Sequence, residues 1–262
     1  MKPFKIATWN VNSIRVRLPQ VLRWLESTHP DVLALQELKS ITEDFPLQEF
    51  ERAGYKAIVS GQKTYNGVAI LSKHISHDIP IDVITDFPEF QDEQRRILVA
   101  TIGGVRCVNL YIPNGESVTS SKYQYKLTWL NHLTNFLQQE LVKHPNMIVL
   151  GDFNIAPAEI DVYSPVAWQG QVLFSGPERA AFQAILKVGL QDCFRLFDQP
   201  VESYSWWDYR LNAFKRNMGL RIDHILASKA LIGQCRHCVI DKVPRTWERP
   251  SDHAPVIAEF IV

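Results

Sequence analysis

Apolar residues follow two rhythms along this chain, dense short runs and stripes at helical spacing. Runs over Lys5 to Val11, Val32 to Gln36, Val68 to Leu71, Ile97 to Ile102, Val105 to Ile112 and Met147 to Leu150 predict strands buried on at least one face. Ser203 to Asp208, Arg221 to Ala227 and Ala254 to Ile261 are later candidates. Leu18, Val21, Leu22 and Leu25, and again Leu130, Leu133, Leu137 and Leu141, recur every three or four positions and predict helices with one apolar face. Phe182, Ile185 and Leu186 predict a third helix, opened by Pro177 and Glu178 near positions that favour a helix start. Strands outnumber helices, and gaps such as Gly103-Gly104 have hairpin length. The expected fold is α/β or α+β, with two mainly antiparallel sheets packed together and helices outside.

Composition narrows this picture. The chain has 262 residues, 46% of them hydrophobic, and no Gly/Ser-rich or Pro-rich linker divides it. We therefore read residues 1–262 as a single domain. The N-terminal residues run straight into a strand without a signal-peptide core, and no apolar stretch is long enough for a membrane helix. Cys235 and Cys238 bracket His237, but Cys107 and Cys193 stand alone and supply no second pair for a zinc site. The cysteines are read as reduced thiols of a cytoplasmic protein. Lys+Arg and Asp+Glu are both 28, which argues against a protein that coats nucleic acid through bulk positive charge.

Polar residues cluster just past the apolar runs. LGDFNIAP carries Asp152 and Asn154 after the Met147 run. If the strand continued through Phe153, both would project to one side, because side chains alternate along a strand. Asn10 and Asn12 follow the first run, Gln36 and Glu37 end the second, and Asn109, Tyr111 and Asn114 close the VNLYIPNG segment. Asp223 interrupts the apolar RIDHIL, and Asp252-His253 precedes the last run. Taken singly, each has an ordinary reading: Asn10 as a turn cap, Glu37 as a solvated strand end, Asp152-x-Asn154 as an Asx turn, Tyr111 as a packed aromatic. Together at strand ends, carboxylates and amides make a hard oxygen-donor site of the kind that suits Mg²⁺ or Mn²⁺. A neighbouring histidine can bond or protonate a phosphate oxygen.

The ordered segments TWNVNS (8–13), LQE (35–37), YNGVAIL (65–71), NLYIPNG (109–115), GDFNIAP (151–157), GLRIDHIL (219–226) and PSDHAPV (250–256) resemble the exonuclease III family. That family comprises Mg²⁺-dependent DNA-repair nucleases of the endonuclease/exonuclease/phosphatase superfamily. The resemblance implies a four-layer α/β sandwich forming one catalytic domain, with Mg²⁺ as cofactor, Mn²⁺ as a substitute, and one or two ions bound. It implies DNA phosphodiester hydrolysis at 3′ ends and 5′ of abasic sites, by a monomer that needs neither membrane nor protein partner. Position by position, Asn10 and Glu37 match metal-site residues, Glu37 being the main ligand. Asp152 matches the residue that activates water or binds a second ion, Asn154 a stabiliser of the pentavalent phosphate, and Tyr111 a phosphate contact. Asp223 matches the acid that bonds the site histidine, His253. Asp252 matches a further metal-linked carboxylate; Asn154 and His253 also fall within the implied metal site.

The shared core does not name the substrate, since the superfamily also holds inositol-phosphate phosphatases and lipid phosphodiesterases; a non-catalytic DNA-binding module is a third reading. Basic residues interleaved with aromatics favour duplex DNA bearing 3′ ends, nicks or abasic sites. Lys63, Tyr65, Arg96, Asn114 and Lys122 are candidates, with Lys126 on the same basic segment as Lys122. Trp206, Arg210, Arg216 and Arg221 lie in the 205–221 stretch that matches the family's DNA-recognition loop. Related apurinic endonucleases carry a wedging arginine after the PN segment, where Ser117 stands here. Trp168 and Gln169 are expected to border the site and fill the space of a flipped-out sugar.

Overall fold

The computed structural model describes residues 2–73, 80–90 and 92–261. One sheet is built from β1 (Pro3–Asn10), β2 (Val32–Gln36), β3 (Tyr55–Ser60), β4 (Val68–Lys73), β11 (Cys235–Ile240) and β12 (Val256–Ile261), in the order β11-β12-β1-β2-β4-β3. The other holds β5 (Ile81–Ile84), β6 (Ile97–Ile102), β7 (Val105–Tyr111), β8 (Met147–Asp152), β9 (Leu190–Asp192) and β10 (Asp223–Ser228), in the order β5-β6-β7-β8-β10-β9. Each sheet contains one parallel pair, β1–β2 and β7–β8, and is otherwise antiparallel. Helices α1 (Ile14–Thr28), α2 (Leu47–Arg52), α3 (Ser121–Lys143), α4 (Pro165–Trp168), α5 (Gly176–Lys187) and α6 (Lys229–Ile232) complete the chain.

Strand alternation explains the layering. Phe4 and Ile6 of β1, Val32 and Ala34 of β2, Ile148 and Leu150 of β8, and Ile225 of β10 meet in the core between the sheets. The intervening Ala7, Trp9, Leu33 and Leu35 face outward against Ile14, Val21, Trp24 and Leu25 of α1 and Phe50 of α2. On the opposite side Val108, Leu110, Met147 and Val149 pack against Trp129, Leu133 and Leu137 of α3 and Phe182 and Ile185 of α5. The result is the expected four layers, helix–sheet–sheet–helix. Among the described residues no helix is long and apolar enough to cross a membrane.

Ser203 to Asp208 is not a strand, contrary to the pattern reading. Trp206 makes only isolated bridges, to Leu220 and His253, and Trp207 turns into a separate cluster with Tyr204 and Ala213. Its aromatics wall a loop rather than a sheet. Four strands that the pattern missed, β3, β5, β9 and β11, have weak alternation, β3 being half-buried through its middle. β5 is an exposed edge, β9 has three residues, and β11 is broken by a register shift between Cys235 and His237. That shift lets both Cys235 and Cys238 enter the inter-sheet core.

Leu150 sits in the inter-sheet core two residues before the strand end, fully buried. Replacing it with alanine should cost about 2–5 kcal/mol by loss of burial plus cavity formation. Urea denaturation checks this, and an unchanged midpoint would show that the inter-sheet layer is not the stabilising core.

Candidate active site

At one end of the sandwich the inward-facing positions switch from apolar to polar. β1 runs Ile6, Thr8, Asn10; β2 runs Ala34, Gln36; β7 runs Cys107, Asn109, Tyr111; β8 runs Ile148, Leu150, Asp152. These even steps keep all of them on the inner face, and Thr8, Asn10, Gln36, Asn109 and Asp152 are buried. Buried amides need partners. Gln36 Nε2 donates to Thr8 Oγ1 at 2.9 Å and to Asn109 Oδ1 at 2.8 Å. Asn109 Nδ2 donates to the Leu35 and Ala69 carbonyls at 3.0 and 2.8 Å. This amide layer floors the pocket above it.

Glu37 follows β2 in a left-handed conformation, φ 52°, which turns its carboxylate over the floor. Asn10 Nδ2 donates to Glu37 Oε1 at 3.0 Å and to Asp152 Oδ2 at 2.9 Å, joining the two acids. Tyr111 OH donates to Glu37 Oε1 at 2.8 Å; burial, then Glu37, pushes this phenol well above its ordinary pKa, so it stays a donor. Lys39 Nζ lies 3.0 Å from Glu37 Oε2.

Asp152 ends β8, and the strand does not continue through Phe153. Asn154 instead has φ 50°, and its backbone N–H donates to Asp152 Oδ1 at 2.9 Å. The two side chains share a pocket through an Asx turn, not through strand alternation. Asn154 Nδ2 donates to the Ile112 carbonyl at 2.9 Å and reaches Asp152 Oδ2 at 3.3 Å. Asn114 Nδ2 donates to Asn154 Oδ1 at 3.2 Å. Just before Asp152, Gly151 has φ 144°, and a Cβ there would fall onto the backbone of Leu110 on β7.

Asp223 is paired in register with Asp152 across β10 and β8. His253 Nδ1 lies 2.9 Å from Asp223 Oδ2, and its Nε2 lies 3.7 Å from Asp152 Oδ2. Burial lowers the His253 pKa, but Asp223 and Asp152 outweigh it and carry the imidazole up to about 10. Burial pushes Asp152 up to about 7, against the pull of His253. Ser205 Oγ donates to Asp223 Oδ2 at 2.6 Å. Asp252 lies to one side. Asn12 Nδ2 donates to its Oδ1 at 2.8 Å and Trp206 Nε1 to its Oδ2 at 3.0 Å. Against the upward push of burial, His253 and these bonds hold it below the ordinary carboxylate range.

Among the described residues the group of metal-donor side chains is Glu37, Asp152 and His253, whose ligand atoms lie within 4.8 Å of one another. Two carboxylates facing one space fit a hard divalent cation, and Lys39 already places positive charge there. Asp252 is outside this group, and the amide nitrogen of Asn10 rather than its oxygen faces the acids.

The nucleic-acid candidates fall into two cavities beside this centre. Tyr65, Arg96, Tyr111, Asn114 and Lys122 line one of about 630 Å³, with Lys63 exposed next to Tyr65. Arg96 is buried and spread over the Tyr111 ring, 4.7 Å from its centroid, which limits its outward reach. Trp168, Trp206 and Arg210 line the other, of about 650 Å³. Gln169 and Arg216 are exposed nearby in sequence. Two basic residues of these segments are not surface groups. Arg221 is buried and paired with Asp161 and Asp192 at 2.6 and 2.8 Å, and Lys126 is fully buried against Glu178 at 2.5 Å. Sequence reasoning also passed over Ser205, Lys39 and the Gln36–Asn109 bonds. The inner-face register of Gln36 and Asn109 carried a signal, whereas Ser205 carried none.

The profile of the endonuclease/exonuclease/phosphatase family matches residues 7–253. The chain is 36% identical over 269 residues to exodeoxyribonuclease III of Haemophilus influenzae, covering 98% of this chain and 99% of that protein. It is 46% identical, TM-score 0.95, to a 3′ phosphatase from Neisseria solved with a product DNA hairpin, covering 99% of this chain and 100% of that one. It is 41% identical, TM-score 0.93, to an AP endonuclease from Archaeoglobus fulgidus, again covering 99% and 100%.

The charge balance at Asp152, His253 and Asp223 is directly measurable. In metal-free protein the ¹⁵N shifts of His253 should report a doubly protonated ring still at about pH 8, above the ordinary histidine range. In Asp223→Asn the pKa should fall. A neutral His253 at about pH 7 would mean that the flanking carboxylates do not control it.

Proposed function

This chain belongs to the endonuclease/exonuclease/phosphatase family, and we propose that the pocket at its sheet edge is the centre of a DNA-repair nuclease of the exonuclease III type. The protein is a hydrolase of DNA phosphodiester bonds that processes 3′ ends. The carrying observation is the convergence of Glu37, Asn10, Asp152, Asp223 and His253 at one sheet edge. Glu37 and Asp152 would hold Mg²⁺, or Mn²⁺ in its place, with His253 Nε2 within reach of the same space and Asp252 supporting it through the loop. Such an ion neutralises charge that develops on the attacked phosphate and makes water a better nucleophile.

The chain's own groups do the rest. Asp152 supplies the carboxylate that accepts a proton from the attacking water. Asn10 and the Asn154 turn hold its carboxylate in place. His253, fixed by Asp223, presents its Nε2 proton to a phosphate oxygen. Tyr111 and Asn154 contact the same phosphate, Asn154 by releasing its longer bond to Asp152. Exposed Lys63, Tyr65, Lys122, Arg210 and Arg216 around the centre support a duplex substrate over an inositol phosphate or lipid. Their local placement reconciles DNA binding with zero net charge. We assign a monomer working in the cytoplasm, consistent with cysteines that are all free.

Asp152→Asn should keep binding a recessed-end duplex while losing on the order of 10²–10⁴ in turnover, since an amide cannot take a proton. Single-turnover cleavage with Mg²⁺ reads this, and full activity would move the general base elsewhere.

Trp168 packs edge-on to Tyr163 with ring centroids 6.5 Å apart and lines the cavity that Trp206 walls. With that cavity narrowed and Ser117 in place of a wedge, 3′-nucleotide removal should outpace incision at abasic sites, because a flipped sugar needs the larger space. Gln169→Gly should shift the ratio towards incision. Faster abasic incision by the unaltered protein would reject this assignment of the loop while leaving the nuclease assignment intact.

A further inference from the structure

Among the described residues, Lys126 and its partner Glu178 are fully buried charges outside the reacting centre. Lys126 falls on the apolar stripe of α3, between Tyr123 and Trp129, where a lysine costs desolvation unless it is fully paired. Its Nζ has three acceptors: Glu178 Oε1 at 2.5 Å, the Asn154 carbonyl at 2.7 Å and the Asn114 carbonyl at 3.1 Å. Both side chains of the ion pair are fully buried. Asn154 and Asn114 are themselves joined through their side-chain amides. Lys126 therefore holds from below, by their backbones, the two residues whose side chains meet above.

Glu178 extends the link. It accepts the Leu173 N–H at 3.0 Å and the Ser175 N–H at 3.0 Å, so it anchors the end of the segment that carries Trp168 and Gln169. Ser175 in turn meets Tyr123 of α3, Oγ to OH at 2.6 Å. A second tie runs from the Ala156 N–H to the Leu173 carbonyl at 2.8 Å. The Asn114 loop, the Asn154 turn and the 169–175 segment converge on one ion pair whose own side chains are fully buried. Apolar residues of similar size could fill this volume without the desolvation cost of an ion pair. What they could not do is bind carbonyls and amide N–H groups from three loops at once.

We propose that the Lys126–Glu178 pair is a positioning device for the reaction. It fixes the left-handed turn at Asn154, and through it the orientation of Asp152, and ties that turn to the segment beside the 3′ end of the substrate. This rests on the nuclease reading of the site. Lys126 is a positioning residue, not a catalytic one, and turnover depends on it through Asn154.

The test is the paired replacement Lys126→Met/Glu178→Gln, which removes both charges together and avoids stranding one of them. With a recessed-end duplex and Mg²⁺, kcat should fall roughly 10- to 100-fold, as expected for a misplaced reacting geometry. KM should stay within about twofold, because neither side chain of the pair is exposed to DNA. In the Asn154→Ala background the same replacement should add no further loss. Hydrogen exchange of the Asn154 and Leu173 amides, which needs no substrate, should speed up. If the paired variant does not fold, Glu178→Asp, which keeps the charge but draws the carboxylate back from Lys126 and the Leu173 and Ser175 amides, carries the same readouts. A folded variant with undiminished kcat, a loss confined to KM, losses additive with Asn154→Ala, or unchanged exchange at both amides each overturn the proposal. Absence of DNA cleavage by the unaltered protein would overturn the nuclease reading instead, and the exchange result would still decide the positioning role.

Discussion

Two carboxylates face each other across neighbouring strands at the edge of the inner layer, and everything at that edge is arranged around the resulting repulsion. Asp152 and Asp223 are register partners on β8 and β10, both buried, and like charges placed directly opposite destabilise a sheet. His253 lies against both, bonded to one and 3.7 Å from the other. The imidazolium makes the pair tolerable, and the same contact gives the ring its elevated proton affinity. Structure and chemistry thus share one interaction. The loop that delivers His253 is secured accordingly, with Trp9 Nε1 donating to the His253 carbonyl at 3.2 Å and Ser251 Oγ donating to the Asn10 carbonyl at 2.7 Å.

Beneath this centre, the transition from apolar core to polar pocket takes place within a single strand step. Leu150 is core and Asp152 is site; Ala34 is core and Gln36 is floor. Gln36 Nε2 and the Asn109 amide are bonded to each other and to nearby backbone groups, which lets polar side chains occupy a seam that two sheets would otherwise close with hydrocarbon. Asn10, Tyr111 and Asp152 close β1, β7 and β8 and Asp223 opens β10, so these walls are held by strands whose other members are largely buried.

Much of this was legible in the chain. The β2 and β6 runs matched the strands to the residue, and polar residues trailing apolar runs pointed to the right edge of the sandwich. The reasoning failed where spacing ceased to encode geometry. Alternation would have brought Asp152 and Asn154 together only if the strand ran on through Phe153, and the Asx turn, the ordinary reading of that pair, is what joins them. Trp206 and Trp207 read as strand because aromatics favour strands, yet they serve a loop wall. Lys126 and Arg221 read as surface charge because isolated basic residues usually are. Only tertiary contacts with Glu178, Asp161 and Asp192 reveal them as interior ties.

Gly151 sets a limit on how such a site can drift. Its backbone lies so near Leu110 that a side chain of any size would drive β8 off β7, and it immediately precedes Asp152. Every other amino acid carries a Cβ, so no gradual series of replacements is open at this position, and compensation elsewhere would have to move a whole strand. The loops bearing Trp168 and Arg210 face no comparable barrier. A lineage can therefore retune which DNA ends it accepts by ordinary point changes, while the hinge under the aspartate is inherited whole or lost.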